Sequence, residues 1–554
     1  MVQRRHDKHW PSQFPKTLEL PKRSIFDNLV VSAQKAPNKP AIIFYNNTLD
    51  YSTLLDQVKR LGQFLINECK VSRGDRVILD MQSCPQFIIG YYAVLSVGGV
   101  IVPVNPMNVS QEIEHYCTDS RAKVAIVSQD LVSEFTSSLH DSCLETVIAA
   151  TYSDFVDQEH EGHLPKEMIE SPINFNDKNI VAWGQTQETQ KINFDIKISP
   201  SDLAAILYTS GTTGKPKGCM HSHETIMHTT VGGAIWEDMT DDSVCLATAP
   251  MFHVTGMQHS MNACIYAAAS IVILPRWNPQ VAGHLIETHR CTHWANVPTM
   301  VTDLLADPSV TERDLSSLKN IFGGGSSMPE AVAQKLFERC KVRYMEGYGM
   351  TEAISQTHQN PPQELRKQCL GIPIFDTDST VIDPDTLSEL GPNKTGEIVS
   401  SGPQIMLGYW EHEKANQEAF IDIDGVRFFR TGDLGWCDDD GFFYITDRIK
   451  RMINAAGYKV WPAEIESTLY KHPEIKEVTV ISSPDKRRGE TVKAVIVLKE
   501  PRRESVTEND ITTWSRKHMA SYKIPRKVSF VDELPKSGSG KIQWRALQEK
   551  EWGK

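Results

Sequence analysis

The chain has 554 residues, a length that predicts more than one hydrophobic core. Its 58 Lys and Arg residues against 70 Asp and Glu residues give a formal net charge of −12, which argues against a general nucleic-acid binder because such proteins present a basic face. Hydrophobic residues make up 40% and charged residues 23% of the chain, so disordered and fibrous classes are excluded.

Short β-branched runs alternate with helical patterns in the first part of the chain. The alternation predicts helices layered on buried sheets, and therefore an α/β fold. The expected strands are 41–44, 76–79, 100–104, 123–127, 204–208 and 270–274, and the expected helices are 51–69 and 85–97.

Two uncharged stretches, 81–111 and 244–275, are long enough to raise the question of membrane spans. The first is interrupted by Gly98-Gly99 and by two prolines, and the second contains two histidines among its apolar residues. We therefore expect buried core segments and no membrane span.

The pattern changes along the second part of the chain. Residues 152–195 are polar with little periodicity and are expected to form a surface excursion. Residues 395–445 turn to short strands and glycine-rich turns, which predicts a small β subdomain. A new βα unit begins near Ala463, so we expect a domain boundary within 447–450.

Cysteine usage indicates a reducing compartment. The 11 cysteines are scattered from Cys69 to Cys437 without a Cys-x-x-Cys pair, so we expect buried thiols and neither a disulfide framework nor a zinc site. Residues 1–10 carry positive charge with no apolar run behind them, so no secretory signal is expected. Together these features predict a cytoplasmic protein.

The segment 208–218, Tyr-Thr-Ser-Gly-Thr-Thr-Gly-Lys-Pro-Lys-Gly, follows an expected strand. Its 3 glycines permit tight backbone turns, its 4 Ser and Thr hydroxyls supply donors, and its 2 lysines supply positive charge. Together these groups can cradle a polyphosphate. The segment is not a Walker motif, because Pro216 follows Lys215.

From this segment onward the chain resembles the adenylate-forming enzymes, which comprise acyl-CoA synthetases, adenylation domains of peptide synthetases and luciferases. The resemblance continues in order through 249–256, 323–329, 344–352, 429–435, 447–450 and 535–541. The run 455–464 looks most like bacterial fatty-acyl-CoA ligases.

The resemblance implies an α/β fold with a large N-terminal domain, residues 1–447, built of layered α/β subdomains plus a small β subdomain. A small mobile α+β C-terminal domain, residues 448–554, would carry a catalytic lysine. The implied reaction uses ATP to convert a carboxylic acid, expected to be a medium- or long-chain fatty acid, into an acyl-adenylate. The acyl group then passes to the thiol of coenzyme A.

The implied cofactors and co-substrates are ATP, Mg²⁺ and coenzyme A, and the implied oligomeric state is a monomer or homodimer. Catalytic roles are implied for Lys541, Thr351, Glu352 and His253, with Glu352 and Thr209 as metal ligands. The implied residues for ATP and coenzyme A are Thr209, Ser210, Gly211, Thr212, Thr213, Gly214, Lys215, Lys217, Gly325, Ser326, Glu346, Gly347, Tyr348, Gly349, Asp433, Ile445, Arg448, Lys450, Ala456, Gly457 and Trp461.

The acyl pocket is implied more loosely. Its expected members are His253, Val254, Met257, Trp294, Val297, Pro298, Gly324, Gly347 and Met350. His253 fits either a pocket position or a buried structural histidine. Met257 stands where long-chain relatives can place a gating tryptophan, and a flexible thioether suits a tolerant apolar tunnel.

Four alternatives remain open on the sequence. The first two are a CoA ligase for an aromatic or short substituted acid and a stand-alone adenylation enzyme that loads a separate carrier protein. A luciferase-like oxygenase would share the expected fold. A non-catalytic acyl-nucleotide-binding protein is disfavoured because Glu352, Asp433, Arg448 and Lys541 are all retained.

Overall fold

The computed structural model describes residues 4–45, 47–156, 164–189, 196–209, 216–325, 327–448, 451–455, 458–485, 489–499, 506–537 and 542–553. The chain divides into two compact units. The larger unit comprises His6–Asp378 and Ser401–Glu418, and the smaller comprises Met1–Arg5, Ser379–Ser400 and Ala419–Lys554.

The strands within the described ranges are, in chain order, β1 (Pro40–Phe44), β2 (Asn47–Asp50), β3 (Arg76–Asp80), β4 (Val100–Pro103), β5 (Val124–Ser128), β6 (Thr146–Ala150), β7 (Ile180–Ala182), β8 (Leu203–Thr209), β9 (Lys217–Ser222), β10 (Val244–Ala247), β11 (Ser270–Ile273), β12 (His293–Asn296), β13 (Asn320–Gly323), β14 (Tyr344–Met350), β15 (Ser355–Gln359), β16 (Ile372–Pro373), β17 (Asp378–Ile382), β18 (Gly396–Ser401), β19 (Gly408–Tyr409), β20 (Phe420–Ile423), β21 (Val426–Cys437), β22 (Phe443–Arg448), β23 (Ile453–Ala455), β24 (Tyr458–Val460), β25 (Ile475–Asp485), β26 (Gly489–Leu498) and β27 (Lys527–Phe530).

The α-helices within the same ranges are α1 (Ile25–Lys35), α2 (Tyr51–Asn67), α3 (Pro85–Ser96), α4 (Ser110–Ser120), α5 (Thr136–Asp141), α6 (Lys166–Ile169), α7 (Trp183–Gln187), α8 (His223–Trp236), α9 (Ala263–Ala267), α10 (Pro279–His289), α11 (Pro298–Ala306), α12 (Glu330–Cys340), α13 (Glu413–Ala419), α14 (Pro462–Leu469), α15 (Glu508–His518) and α16 (Trp544–Glu551). A π-helical turn, Gly256–Asn262, precedes α9.

The larger unit contains two sheets among its described residues. One has the order β16-β15-β14-β13-β12-β10-β11-β1-β2, and the other has the order β19-β9-β8-β4-β3-β5-β6-β7. Their central strands run parallel, and the antiparallel strands lie at the ends. Runs such as β4 and β5 are buried along their whole length, as expected for parallel strands covered on both faces.

The smaller unit also contains two sheets in its described part. One joins β17, β18, β21, β20 and β22, and the other joins β24, β23, β26, β25 and β27. Helix α14 follows β24, which agrees with the βα unit expected near Ala463.

The predicted α/β class with a large N-terminal and a small C-terminal part is confirmed. The two compact units do not test a boundary between 447 and 448, so that boundary stays a prediction. The expectation that 152–195 is wholly a surface excursion is wrong, because β7 pairs in parallel with β6 at a sheet edge. A strand of three residues is too short to show a period in the sequence.

The expectation of buried thiols is confirmed for most of the cysteines. All 11 thiols are free, and nine of them are buried. Within the described residues, no helix has both the length and the apolar character needed to cross a membrane.

Candidate active site

The carboxyl edge of the larger unit's first sheet contains a topological switch point. From β10 the chain passes to its neighbour β11 and then returns to β12 on the other side of β10. Ligands of open α/β sheets bind in the crevice that such a reversal opens. The segments 249–257, 297–298 and 324–325, which directly follow β10, β12 and β13, therefore lie at the edge where a ligand site is expected.

The turn that carries Thr351 and Glu352 packs against the strand that follows the expected phosphate segment. Strand β8 ends at Thr209 and β9 begins at Lys217, and the residues between them are largely outside the described ranges. On β9, His221 Nε2 donates a hydrogen bond to the carbonyl of Thr351 at 2.8 Å. Burial lowers the pKa of His221 to about 4, so the imidazole is neutral when it makes this bond.

The Glu352 carboxylate is held by an aromatic hydroxyl. Tyr409 Oη donates to Glu352 Oε1 at 3.0 Å, and the amide of Met406 donates to the Glu352 carbonyl at 2.8 Å. Among the described residues, no group of three or more His, Cys, Asp and Glu side chains could hold a metal ion by itself. A lone carboxylate fits Mg²⁺, which is usually bound through one or two carboxylates together with substrate phosphates.

Glycines bring the predicted adenine segments together. A Cβ at Gly324 would lie 2.5 Å from the carbonyl oxygen of Gly347, so only glycine permits this approach of the loop after β13 to β14. A Cβ at Gly349 would lie 1.6 Å from the carbonyl oxygen of Ser355 on the antiparallel strand β15. Tyr348, between these glycines, is buried, with its ring centroid 5.7 Å from that of His358.

Glu346 is a partly buried carboxylate on the same strand. Its oxygens accept hydrogen bonds from the amides of Met328 at 3.3 Å and Gln368 at 3.0 Å. Burial raises its pKa to about 7, although the two amide donors favour the charged form. A group that changes charge near neutral pH therefore lies within the predicted nucleotide-binding segment.

The expected acyl-pocket residues differ in their surroundings. Val254 and Met257 are buried, Met257 within the π-helical turn, whereas His253 is partly exposed. Trp294 is fully buried and donates through Nε1 to Thr248 Oγ1 at 2.9 Å. It also belongs to a hydrophobic cluster with residues of α10, α11 and α12, so its place in an acyl pocket stays a prediction.

The remaining described members of this set lie at the same sheet edge. Val297 and Pro298 begin α11, Gly324 directly follows β13, and Gly347 and Met350 lie on β14. Gly325, the next residue after Gly324, belongs to the predicted nucleotide site. Gly325 has a φ of 84°, a left-handed conformation that glycine adopts without strain.

The smaller unit brings together two residues that the sequence had suggested separately. Strands β21 and β22 are antiparallel, and their register places Asp433 opposite Arg448. Arg448 Nε and Asp433 Oδ1 form an ion pair at 3.0 Å, in which the Asp433 side chain is 4% exposed. In the same register Ile445 pairs with Gly435, and Trp461 precedes α14.

Part of the predicted site lies outside the described residues. The predictions that fall there are Ser210, Gly211, Thr212, Thr213, Gly214, Lys215, Ser326, Lys450, Ala456, Gly457 and Lys541.

Sequence reasoning did not identify His221, Tyr409 or a buried chain of polar groups behind the sheet edge. In that chain Glu237 Oε1 accepts from His259 Nδ1 at 2.6 Å, and His259 Nε2 shares a hydrogen bond with Ser355 Oγ at 3.0 Å. These partners are far apart in sequence, so no spacing rule connects them. The available signal is a charged residue, Glu237, directly after the apolar run 231–236 that ends α8.

Comparison with known proteins places the chain in a family. The model of the AMP-binding enzymes matches residues 29–410, and that of the AMP-binding enzyme C-terminal domain matches residues 464–541. The chain belongs to the family of AMP-binding enzymes. The resemblance to adenylate-forming enzymes is therefore confirmed, and with it the prediction of an enzyme.

Several characterised proteins are similar along nearly their whole length. The long-chain-fatty-acid–CoA ligase of Bacillus subtilis (strain 168) is 34% identical over 558 residues, which cover 98% of this chain and 97% of the relative. The feruloyl-CoA synthase of Amycolatopsis sp is 30% identical over 512 residues, with 92% and 95% covered. The crystal structure of ATP-bound MatB from Rhodopseudomonas palustris has a TM-score of 0.84 at 26% identity, covering 96% of this chain and 99% of that one.

Proposed function

We propose that this protein is an AMP-forming carboxylate–CoA ligase whose acid is a medium- or long-chain fatty acid. The observation that supports the proposal is the hydrogen bond from His221 to the carbonyl of Thr351. It holds the turn that contains Thr351 and Glu352 against β9, the strand next to the predicted phosphate-binding loop. The 34% identical relative from Bacillus subtilis, a long-chain-fatty-acid–CoA ligase, supports the choice of acid.

The chemistry explains why such a site uses a nucleotide. A carboxylate is a poor acceptor for a thiol because hydroxide is a poor leaving group. When a carboxylate oxygen attacks the α-phosphorus of ATP, pyrophosphate leaves and an acyl-adenylate forms. The thiol of coenzyme A then attacks the acyl carbon, AMP leaves with the electron pair of the broken carbon–oxygen bond, and the thioester remains.

The residues have separable roles in the first step. Negative charge accumulates on the α-phosphoryl group, so catalysis depends on positioning and on fixed positive charge. Thr351 would donate a hydrogen bond to the α-phosphate, and Lys541 would bridge the carboxylate and phosphate oxygens. Glu352 and Thr209 would hold Mg²⁺, which supplies charge neutralisation at the phosphates when bound.

The second step requires the thiol to reach the adenylate. We place a hinge at Lys450, at the start of a mobile C-terminal domain that comprises residues 448–554. Ala456 and Gly457 would line the pantetheine path, and Asp433 with Arg448 would contact the ribose and phosphate. Coenzyme A is the proposed acceptor, and the reaction is proposed to take place in the cytoplasm.

A panel of carboxylic acids tests the proposal. Purified protein with ATP, Mg²⁺ and one acid at a time should exchange labelled pyrophosphate into ATP, with fatty acids as the best substrates. Addition of coenzyme A should then release AMP and form a thioester. Preference for an aromatic acid would support the alternative that the feruloyl-CoA synthase relative suggests. Exchange with none of the acids would refute the proposed function.

A further inference from the structure

Strand β19 and the residue Met406 just before it hold Glu352 in place; we call this segment, 406–409, the brace. Tyr409, the last residue of β19, is 7% exposed, and its hydroxyl reaches Glu352 Oε1 at 3.0 Å. The amide of Met406, just before the strand, donates to the Glu352 carbonyl. One short segment therefore fixes both the backbone and the side chain of Glu352.

The brace is itself fixed from two sides. Asn416 on α13 accepts from the Tyr409 amide at 2.6 Å and donates to the Tyr409 carbonyl at 3.0 Å, so the tyrosine backbone is pinned by one side chain. Strand β19 pairs with β9 in antiparallel register, Gly408 with Met220 and Tyr409 with Cys219. The tyrosine cannot move without disturbing the strand that leads out of the phosphate segment.

The ring of Tyr409 also contacts that strand directly. Lys217 Nζ lies 4.2 Å from the ring centroid, within the range of a cation–π interaction. The hydroxyl thus faces the carboxylate while the ring faces Lys217, the second lysine of the segment 208–218. No motif marks this arrangement, because Tyr409 and Glu352 are 57 positions apart.

We propose that Tyr409 is a positioning residue: its hydroxyl would hold the Glu352 carboxylate in the orientation that suits a bound magnesium–nucleotide complex. The inference rests on the proposed function, in which Glu352 holds Mg²⁺. Partners that orient a metal-binding carboxylate typically change metal affinity or activity by about 10- to 100-fold when removed. We expect a loss of about 10-fold, because Met406 still holds the backbone.

Five variants test the role. Tyr409→Phe removes only the hydroxyl, Glu352→Gln removes the metal-binding charge, and the double variant combines them. Tyr51→Phe is the matched control, because Tyr51 is also buried and donates to the Ala269 carbonyl at 2.6 Å, away from the site. Asn416→Ala is the reserve variant, which loosens the tyrosine but keeps its hydroxyl.

Calorimetric titration separates positioning from general damage. Tyr409→Phe should bind MgATP about 10-fold more weakly, while its affinity for AMP measured without divalent ions stays that of the wild type. The half-saturating Mg²⁺ concentration in pyrophosphate exchange should rise by a similar factor. The double variant should be no weaker than Glu352→Gln, because the hydroxyl acts only through that carboxylate.

Each contrary outcome is informative. Equal MgATP affinity in Tyr409→Phe and wild type would overturn the positioning role, as would additive losses in the double variant. If Tyr409→Phe lost affinity for AMP by the same factor as for MgATP, Tyr409 would have only a structural role. If Tyr409→Phe fails to fold, wild-type MgATP affinity in Asn416→Ala would overturn the role instead. If the wild-type protein catalyses no pyrophosphate exchange with any of the acids, the proposed function is refuted. The MgATP titrations would still decide the role of Tyr409, because they do not depend on the acid.

Discussion

Asp80 provides a quantitative test of the buried electrostatics of the larger unit. It is the last residue of β3, it is 1% exposed, and its Oδ1 has no hydrogen-bond partner among the described residues. Burial raises its pKa from 3.8 to about 8, and the nearby charges of Asp130 and Glu134 add to the shift. We therefore expect Asp80 to be protonated in the folded protein at neutral pH.

The sign of the effect on stability follows from proton binding. The folded protein retains a proton on Asp80 that the unfolded chain releases above its ordinary pKa of 3.8. The resulting stabilisation is complete below that value, declines as the pH rises, and is lost above about 8. A difference of about four pH units, at about 1.4 kcal/mol per unit, gives about 6 kcal/mol as an upper value.

Asp80→Asn removes the titration and keeps the shape of the side chain. We expect the wild-type unfolding midpoint to fall relative to that of the variant as the pH rises from about 5 to about 9. About three pH units of this range lie below the folded pKa, and the resulting loss of about 4 kcal/mol corresponds to about 5 °C for a unit of this size. Differential scanning fluorimetry at one scan rate measures this difference.

Asp50→Asn is the control for the Asp80 experiment. Asp50 is partly exposed, and hydrogen bonds lower its pKa, chiefly the bond from the Thr53 amide at the start of α2. Its carboxylate is therefore ionised in both states across this pH range, and the difference of Asp50→Asn from the wild type should be constant. Parallel curves for Asp80→Asn and the wild type would refute a protonated Asp80.

Three further predictions concern the reaction and the core. Lys541→Ala should abolish pyrophosphate exchange and leave the unfolding midpoint unchanged; undiminished exchange would remove Lys541 from the mechanism. Lys450→Pro should preserve pyrophosphate exchange and slow thioester formation, measured with the same acid; an equal loss of both steps would argue against a hinge there. His259→Ala removes the hydrogen-bond partner of the buried Glu237 carboxyl group, whose pKa burial raises, and should lower the unfolding free energy by about 1 to 3 kcal/mol. An unchanged unfolding midpoint would show that this hydrogen bond does not stabilise the folded state.

Much of the fold could be predicted because local periodicity and burial agree there. Helix α2 was expected at 51–69 and lies at Tyr51–Asn67, and α3 was expected at 85–97 and lies at Pro85–Ser96. The predicted strand 76–79 corresponds to β3. In each case a continuous pattern of apolar residues is long enough to specify one element without help from distant parts of the chain.

The site could be predicted only where its residues are close in sequence. The segment 344–352 contains a strand, its glycines and the Thr351–Glu352 turn. A resemblance over these nine positions is therefore enough to predict that they belong to one site. The pairing of Asp433 with Arg448 needs the register of β21 on β22, and the contact of Tyr409 with Glu352 needs β19 on β9. When two strands come from distant parts of the chain, their residue composition does not specify the register in which they pair.

The turn after β14 shows why local propensity fails at the site itself. Ile354 has a φ of 46° and Ser355 a φ of 125°, and a β-branched residue in the left-handed region is strained. Nothing in Thr-Glu-Ala-Ile-Ser predicts this conformation. This conformation persists because two residues from elsewhere in the chain, His221 and Met406, donate hydrogen bonds to the turn. They hold the carbonyls of Thr351 and Glu352 respectively. Strain of this kind is maintained where the surrounding structure over-determines the backbone, and here it lies just after Thr351 and Glu352, the two residues that the proposed reaction requires at the phosphates.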